Sequence, residues 1–243
     1  METIKFSPLQ PKVVLGIAAH PDDLDFGAAG TLAKFAAAGV QVHYLLLTDG
    51  GKGSSDPAMT PEQLIPLRQT EQRAAVAAIG GASVEFLAYP DAGLEVTQEL
   101  KKAIVKTIRT IKPDLVVTMD PSMLYSAARG FINHPDHRAA GQATLDAVFP
   151  LARDRMSYPE LFAAGFEPHK VKTLLLINFD TNNFHVNITE TIEHKMAALA
   201  AHASQMPNLA STQQWVRDLA AKTGQSAGYQ YAEAFVRIDI REG

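Results

Sequence analysis

Short apolar runs alternate with longer amphipathic segments along most of the chain. Runs of β-branched and other apolar residues that end in polar or glycine positions predict buried strands. These runs are residues 13–18, 40–48, 84–88, 115–119, 171–177 and 232–240. Apolar positions at helical spacing predict the intervening helices. These segments are residues 27–38, 61–79, 97–111, 137–148, 189–203 and 212–222.

The regular alternation of strand and helix in the first half predicts the fold class. Such a pattern is typical of an α/β fold in which a mostly parallel sheet carries helices on both faces, joined by right-handed crossovers. Residues 150–170 contain three prolines and predict a long irregular excursion over the sheet. Because neither a linker nor an internal repeat interrupts the chain, we expect residues 1–243 to form a single domain.

Composition narrows the classes of partner. The 243 residues include 22 basic and 26 acidic side chains, for a formal charge of −4, so we expect no nucleic-acid partner. Cysteine is absent, which excludes disulfides and leaves nitrogen and oxygen atoms to hold any metal. No run reaches the ~18 apolar residues of a membrane span, and the amino terminus does not resemble a signal peptide. We therefore expect a cytoplasmic protein.

The first polar cluster, His20-Pro21-Asp22-Asp23, follows the first predicted strand. In open parallel sheets, ligands bind at the carboxyl ends of the strands. Since Pro21 fixes the turn, His20 and Asp23 can point at one cation, with Asp22 beside it but unbound. Alternatively, His20 ends the strand and one of the two aspartates caps the following helix.

The second polar cluster is Asn133-His134-Pro135-Asp136-His137-Arg138. His137 can supply a third protein ligand, and three protein ligands with water in the fourth position are typical of catalytic zinc. His134 would then lie nearby but unbound, and Asp136 could hold its ring in one tautomer. The alternative is a histidine-rich helix cap without a metal.

Six segments together resemble the LmbE-like (PIG-L) zinc-dependent N-acetylglucosaminyl deacetylases. These are Ala19-His20-Pro21-Asp22-Asp23-Leu24-Asp25, Thr48-Asp49-Gly50, Arg68-x-x-Glu71-x-x-x-Ala75, Tyr89-Pro90-Asp91, His134-Pro135-Asp136-His137-Arg138 and Lys195-x-x-Ala198-Leu199-x-x-His202-x-Ser204-Gln205. The likeness spans roughly residues 13–206 in the order of the family. It departs only slightly, with Ala29-Gly30 in place of a glycine pair.

The resemblance implies a Rossmann-like fold and a metal site. It implies Zn²⁺ bound by His20, Asp23 and His137, although these ligand types also suit Fe²⁺ or another divalent ion. Trimers or hexamers are common among similar proteins, so it also implies a homo-oligomer.

The resemblance assigns roles to five further residues. Asp22 would be the general base, and protonated His134, partnered by Asp136, would assist the oxyanion and the departing amine. Arg68 and Asp91 resemble substrate contacts of the family. On the residues alone, Arg68 could instead form a surface ion pair with a glutamate such as Glu71, and Asp91 could be only a turn residue.

The expected activity is removal of an N-acetyl group from a glucosamine-type sugar, with metal-bound water as the nucleophile. The alternatives are a zinc amidase for another small N-acyl substrate and a non-catalytic protein that binds a metal or a small molecule. The loop after Asp49 lacks the glycine spacings of nucleotide sites, which disfavours a nucleotide cofactor. We expect residues 150–170 to shape the acceptor side of the pocket. The sequence leaves three roles undecided, those of Asp49, His202 and Glu233.

Overall fold

The structure, a computed structural model, describes residues 7–241. Its strands are β1 (Val13–Ala18), β2 (Gln41–Thr48), β3 (Ser83–Tyr89), β4 (Leu115–Met119), β5 (Tyr125–Ser126), β6 (Phe131–Ile132), β7 (Thr173–Ile177), β8 (Phe184–Asn187) and β9 (Ala232–Asp239). Its α-helices are α1 (Asp23–Ala37), α2 (Pro61–Ala78), α3 (Gln98–Ile111), α4 (Pro135–Asp146), α5 (Pro159–Ala163), α6 (Ile192–Ala201) and α7 (Leu209–Ala227).

Seven strands form one sheet in the order β3-β2-β1-β4-β7-β9-β8. The first five in that order pair in parallel, and β9 runs antiparallel to both of its neighbours. Strands β5 and β6 form a separate small hairpin. Helices cover both faces, so the predicted α/β fold with a mostly parallel sheet is confirmed.

Alternate residues of the central strands enter cores on opposite faces of the sheet. In β1, Val14 and Ala18 pack in the core that includes α1, whereas Leu15 and Ile17 pack in the core that includes α3 and α4. Both sets are fully buried. This double burial explains why β1 is a continuous apolar run instead of an alternating one.

The strand order creates a switch point between β1 and β4. From β1 the chain proceeds outward through β2 to β3, and then β4 returns to the opposite side of β1. Ligands of open α/β sheets bind in the crevice outside the strand ends at such a point. The cluster beginning at His20 follows β1, and α4 follows β4, so the fold brings both predicted clusters to this crevice.

The structure differs from the predicted elements in a few places. Helix α1 begins at Asp23, four residues before the predicted start, so Asp23 lies in its first turn. Helix α7 is longer than predicted, and β5, β6, β8 and α5 were not predicted. These last elements span only two to five residues each, which is too short for a periodic pattern.

Within residues 7–241, no helix is long and apolar enough to cross a membrane.

The close packing of α4 on β4 depends on Gly141. A Cβ atom at this position would overlap the carbonyl oxygen of Met119. We expect Gly141→Ala to lower the free energy of unfolding by about 1–3 kcal/mol, the usual range for overpacking. Urea denaturation measures this change. The control Gln142→Ala alters an exposed neighbour on the same helix and should stay within about 0.5 kcal/mol of the wild type; equal stability of the two variants would contradict the packing argument.

Candidate metal centre and active site

The three predicted metal ligands meet at the switch point between β1 and β4. The Nδ1 atom of His20 lies 3.3 Å from Nε2 of His137. One carboxylate oxygen of Asp23, Oδ1, lies 3.0 Å from His137 Nε2, and the other, Oδ2, lies 3.5 Å from His20 Nδ1. Ligand atoms about 2.0–2.1 Å from a tetrahedral ion are separated by about 3.4 Å. The observed spacing therefore fits one small divalent ion.

The orientation of both imidazoles also fits a metal. His20 Nε2 lies 3.1 Å from Asp91 and 3.2 Å from Asp136, and His137 Nδ1 lies 3.1 Å from the side-chain oxygen of Asn133. These acceptors require an N–H on the outer nitrogen of each ring. When the rings are neutral, their inner nitrogens are left available to a cation beside the Asp23 carboxylate.

His134 lies against the same cluster and extends the set of donors. Three imidazoles, those of His20, His134 and His137, are grouped closely enough to share a metal ion. The Nδ1 atom of His134 accepts the backbone N–H of Asp136 at 3.1 Å. Burial and the positive charges of His20 and His137 lower the pKa of His134. Because Nδ1 accepts this N–H, the Nε2 atom of His134 is the one that carries a proton.

Asp136 contacts His134 as expected, but through its backbone N–H instead of its carboxylate. Asp136 is buried, and its oxygens accept the backbone N–H groups of Ala92 and Leu94 at 2.7 and 3.2 Å. One of these oxygens also lies next to His20 Nε2. The Asp136 carboxylate thus fixes the His20 ring, and only the backbone N–H of Asp136 contacts His134.

Asp22 has an unusual backbone conformation, with φ at +98°. Left-handed conformations are strained for residues other than glycine and persist only where neighbours impose them. Here the side-chain oxygen of Gln72 accepts the Asp22 N–H at 2.9 Å, and Arg68 donates to the carbonyl oxygen of Pro21 at 2.7 Å. The turn separates the adjacent carboxylates, with Asp23 against His137 and Asp22 within 3.5 Å of Arg68.

Arg68 is buried, with 4% of its surface exposed, so the surface ion pair considered from the sequence is wrong. Besides Pro21, its guanidinium donates to the carbonyl oxygens of Gly50 and Lys52. Glu71 instead accepts hydrogen bonds from the backbone and hydroxyl of Ser204. Arg68 therefore joins the loops that follow β1 and β2.

Asp91 is more than a turn residue. One oxygen contacts His20, and the other accepts the backbone N–H of Lys52 at 3.0 Å. Asp49, whose role was undecided, accepts the N–H groups of Gly51 and Asp91 and so shapes the same loops.

The pKa values of the cluster follow from burial and opposing charges. Burial alone would lower the pKa of His20, but hydrogen bonds to Asp23 and Asp91 raise it to about 11. Burial opposes ionisation of Asp23, yet His137 and His20 hold its pKa well below the usual range. Burial and then the negative charge of Asp23 raise the pKa of Asp22 to about 7. Positive charge at the point where His20, Asp23 and His137 converge therefore stabilises the buried carboxylates.

His202 and Glu233 belong to buried networks that support α1. His202 Nε2 lies 2.8 Å from Asp25, which also accepts hydrogen bonds from Gln72 and Tyr44. Burial would lower the pKa of His202, but the hydrogen bond to Asp25 raises it. In the second network, Glu233 forms a 2.6 Å ion pair with Lys195 and accepts two backbone N–H groups of α1.

Two cavities border the cluster. A polar cavity of about 260 Å³ is lined by residues that include His20, Asp22, Lys52, Arg68, Asp91 and His134. A mostly apolar cavity of about 330 Å³ borders Asp23 and His137. Residues 150–170 are not among the lining residues of these two cavities. The excursion is instead held by buried Arg109, which donates to several of its carbonyl oxygens.

Comparison with known proteins identifies the family. The PIG-L family of GlcNAc-PI de-N-acetylases matches residues 15–148, more than half of the chain. A diacetylchitobiose deacetylase of Thermococcus kodakarensis is 33% identical over 224 residues, which cover 91% of this chain and 81% of the relative. The chain belongs to the PIG-L family.

Other PIG-L relatives extend this comparison. A probable N-acetyl-α-D-glucosaminyl L-malate deacetylase of Bacillus anthracis is 29% identical over 199 residues, covering 79% of this chain and 80% of the relative. The solved N,N′-diacetylchitobiose deacetylase of Pyrococcus horikoshii superposes with a TM-score of 0.87 at 29% identity, covering 94% and 84% of the two chains. The resemblance to LmbE-like (PIG-L) deacetylases is thus confirmed, and the relatives named here are amide hydrolases.

Sequence analysis of this PIG-L protein did not predict two residues that support the site, Asn133 and Gln72. Asn133 orients His137, and its side-chain N–H₂ group donates to the carbonyl oxygen of Met123. Gln72 connects Asp22 to Asp25. The position of Asn133 four residues before His137 is a usable signal, because that spacing brings side chains together around a helix start. Nothing in the local sequence distinguishes Gln72 from a solvated helix residue.

We expect Asn133→Ala to weaken metal binding about 10–100-fold, because the variant loses the acceptor that orients His137. Chelator competition with Zn²⁺ measures the affinity, and circular dichroism checks the fold. Asn182→Ala is the control, since this exposed amide is not among the partners of His137. An unchanged affinity in folded Asn133→Ala protein would rule out the orienting role.

Proposed function

We propose that the protein is a zinc-dependent hydrolase that removes an N-acetyl group from a glucosamine-type sugar or glycoconjugate. The observation that carries this proposal is the convergence of His20, Asp23 and His137 at distances that fit one ion. Membership of the PIG-L family supports the reaction class. Two relatives, a diacetylchitobiose deacetylase and a probable N-acetyl-α-D-glucosaminyl L-malate deacetylase, support the substrate class.

Zinc suits a site of two imidazoles and one carboxylate, although Fe²⁺ accepts the same donors. When bound, the ion would supply the Lewis acidity that activates a water molecule and polarises the amide carbonyl. His20, Asp23 and His137 are therefore assigned as the metal ligands.

Asp22 acts as the general base. Its carboxylate lines the polar cavity beside His20 and is not one of the atoms that converge on the metal position. It accepts a proton from water as the new C–O bond forms. That proton then passes to the departing amine as the C–N bond breaks, so a free amine and a carboxylic acid result.

His134 stabilises the oxyanion as a hydrogen-bond donor. Because Nδ1 accepts the Asp136 N–H, the neutral ring donates from Nε2. The ring lines the same polar cavity as Asp22, so both residues face the amine side of the substrate. Asp136 contributes by fixing His134 through its backbone and His20 through its carboxylate.

The sugar binds in the polar cavity. Its lining offers a carboxylate from Asp91, a guanidinium from Arg68 and the ammonium of Lys52, groups that can hydrogen-bond to hydroxyls. Arg68 and Asp91 are therefore assigned as substrate contacts in addition to their bonds within the protein.

We expect Asp22→Asn to lower kcat for acetate release by about 10²–10⁴-fold, because the amide cannot accept the proton of water. Bound zinc should remain stoichiometric, since the metal ligands are unchanged. Acetate is measured with N-acetylglucosamine, diacetylchitobiose and an N-acetylglucosaminyl glycoside as substrates, and zinc is measured by elemental analysis.

Asp56→Asn is the matched control because Asp56 is exposed and its side chain contacts only its own loop. Its rate should equal that of the wild type. A zinc-loaded wild-type protein that releases no acetate from these substrates would favour a non-catalytic binding protein. Full activity of Asp22→Asn would exclude Asp22 as the base.

Removal of the metal gives an independent test. We expect dialysis against a chelator to abolish acetate release and stoichiometric Zn²⁺ to restore it, because three ligands without the ion supply no Lewis acid. Adding the chelator–zinc complex instead of free chelator is the control. Retention of full activity in protein shown to be free of metal would contradict the assignment.

A further inference from the structure

The apolar cavity beside the metal ligands has no role in the mechanism above. Its volume of about 330 Å³ exceeds that of the polar cavity. Its walls come from distant parts of the chain and are mainly aromatic and aliphatic; they include Phe26, Met119, Met123, Phe179, Trp215 and Leu219. Cavities of roughly 300 Å³ and more with such walls are typical of ligand sites.

The buried polar groups in this cavity are already bonded within the protein, whereas Asn182 is exposed and Thr223 is half-buried. Lys195 pairs with Glu233 and donates to the carbonyl oxygen of Phe26. Asn133 bonds to His137 and Met123, and Asn178 donates to Asp120. A sugar placed here would bury hydroxyls against groups that have little bonding capacity left, which is unfavourable. The cavity therefore selects an apolar group.

The position of the cavity decides which part of the substrate it faces. The residues assigned to proton transfer and oxyanion binding, Asp22 and His134, line the polar cavity. Asp23 and His137 line the apolar one. An amide carbonyl at the metal carries the amine on one side and the acyl group on the other. With the amine on the side of Asp22 and His134, the acyl group points past Asp23 and His137.

We propose that the apolar cavity is an acyl-binding site and that the enzyme hydrolyses N-acyl glucosamines with acyl chains longer than acetyl. This inference rests on the proposed function and extends its substrate class. A single methyl group occupies about the volume of one water molecule, ~30 Å³, and would leave most of the cavity without contacts. A linear chain of four to six carbons fills more of it.

The reaction remains an ordinary hydrolysis. Water adds to the acyl carbon, the C–N bond breaks, and the proton from water ends on the amine. The products are glucosamine and a fatty acid, so no oxidant, reductant or further cofactor is needed.

A series of N-acyl glucosamines tests the proposal directly. The substrates are the acetyl, propionyl, butyryl and hexanoyl compounds, and the zinc-loaded wild-type enzyme is assayed by the glucosamine released, which is the same for all four. Burial of each methylene is expected to raise kcat/KM roughly fourfold, so butyryl should exceed acetyl by roughly 15-fold.

Two variants connect the preference to the cavity. Ala220 lines the cavity and is 5% exposed, so Ala220→Leu should fill it and lower the butyryl-to-acetyl ratio of kcat/KM about tenfold. The adjacent Ala221→Leu, on the same helix but outside the lining, should leave the ratio unchanged. Trp215 is 55% exposed, so Trp215→Ala should fold and lower the ratio about threefold through lost contact.

The outcomes separate this inference from the proposed function. Hydrolysis of the acetyl compound with butyryl and hexanoyl rejected would overturn the acyl site and leave the deacetylase assignment intact. Release of glucosamine from none of the compounds would overturn the proposed function itself. A butyryl preference that Ala220→Leu and Trp215→Ala both leave unchanged would place the acyl chain elsewhere and also overturn the inference.

Discussion

The structure around the switch point depends on the balance of charge among buried carboxylates. Asp23, Asp91 and Asp136 lie within a few ångströms of His20, and all four side chains are largely removed from solvent. Buried anions are tolerated only when cations or hydrogen-bond donors compensate them. Backbone N–H groups and imidazoles supply part of that compensation. Under the proposed function, a divalent ion between His20 and His137 would add to this compensation.

This arrangement also requires a backbone that the sequence alone does not favour. Asp22 in a left-handed conformation is strained by the order of 1–3 kcal/mol, and neighbouring elements must impose it. Helix α2 does so through Gln72 and Arg68, and Gln72 donates to Asp25, which also contacts His202. His202, directly after α6, thus completes a chain of hydrogen bonds to Asp22.

The sequence alone predicted those strands, helices and polar clusters that a local pattern of residues determines. Short apolar runs predicted the five parallel strands, of which β3 is a half-exposed edge strand and the other four are mostly buried. The polar clusters around His20 and His137 indicated the proposed ligands. Tertiary contacts decided the rest. Asp136 was expected to hold His134, but the loop after β3 presents two N–H groups that draw its carboxylate toward His20. Gln72 could not be predicted because its partners lie 50 and 47 residues away.

The two cavities are formed in part by different segments of the chain. The residues proposed as metal ligands and those proposed for proton transfer lie within residues 15–148, the part that matches the PIG-L family. Trp215 and Leu219 on α7, and the segment containing Glu233 on β9, lie beyond it and form walls of the apolar cavity. A fold does not determine specificity, because function depends on the residues of the site. Under the proposed acyl site, changes in α7 and β9 would alter the acyl side of the substrate without disturbing the proposed ligands, provided that the Lys195–Glu233 pair continues to hold α1 in place.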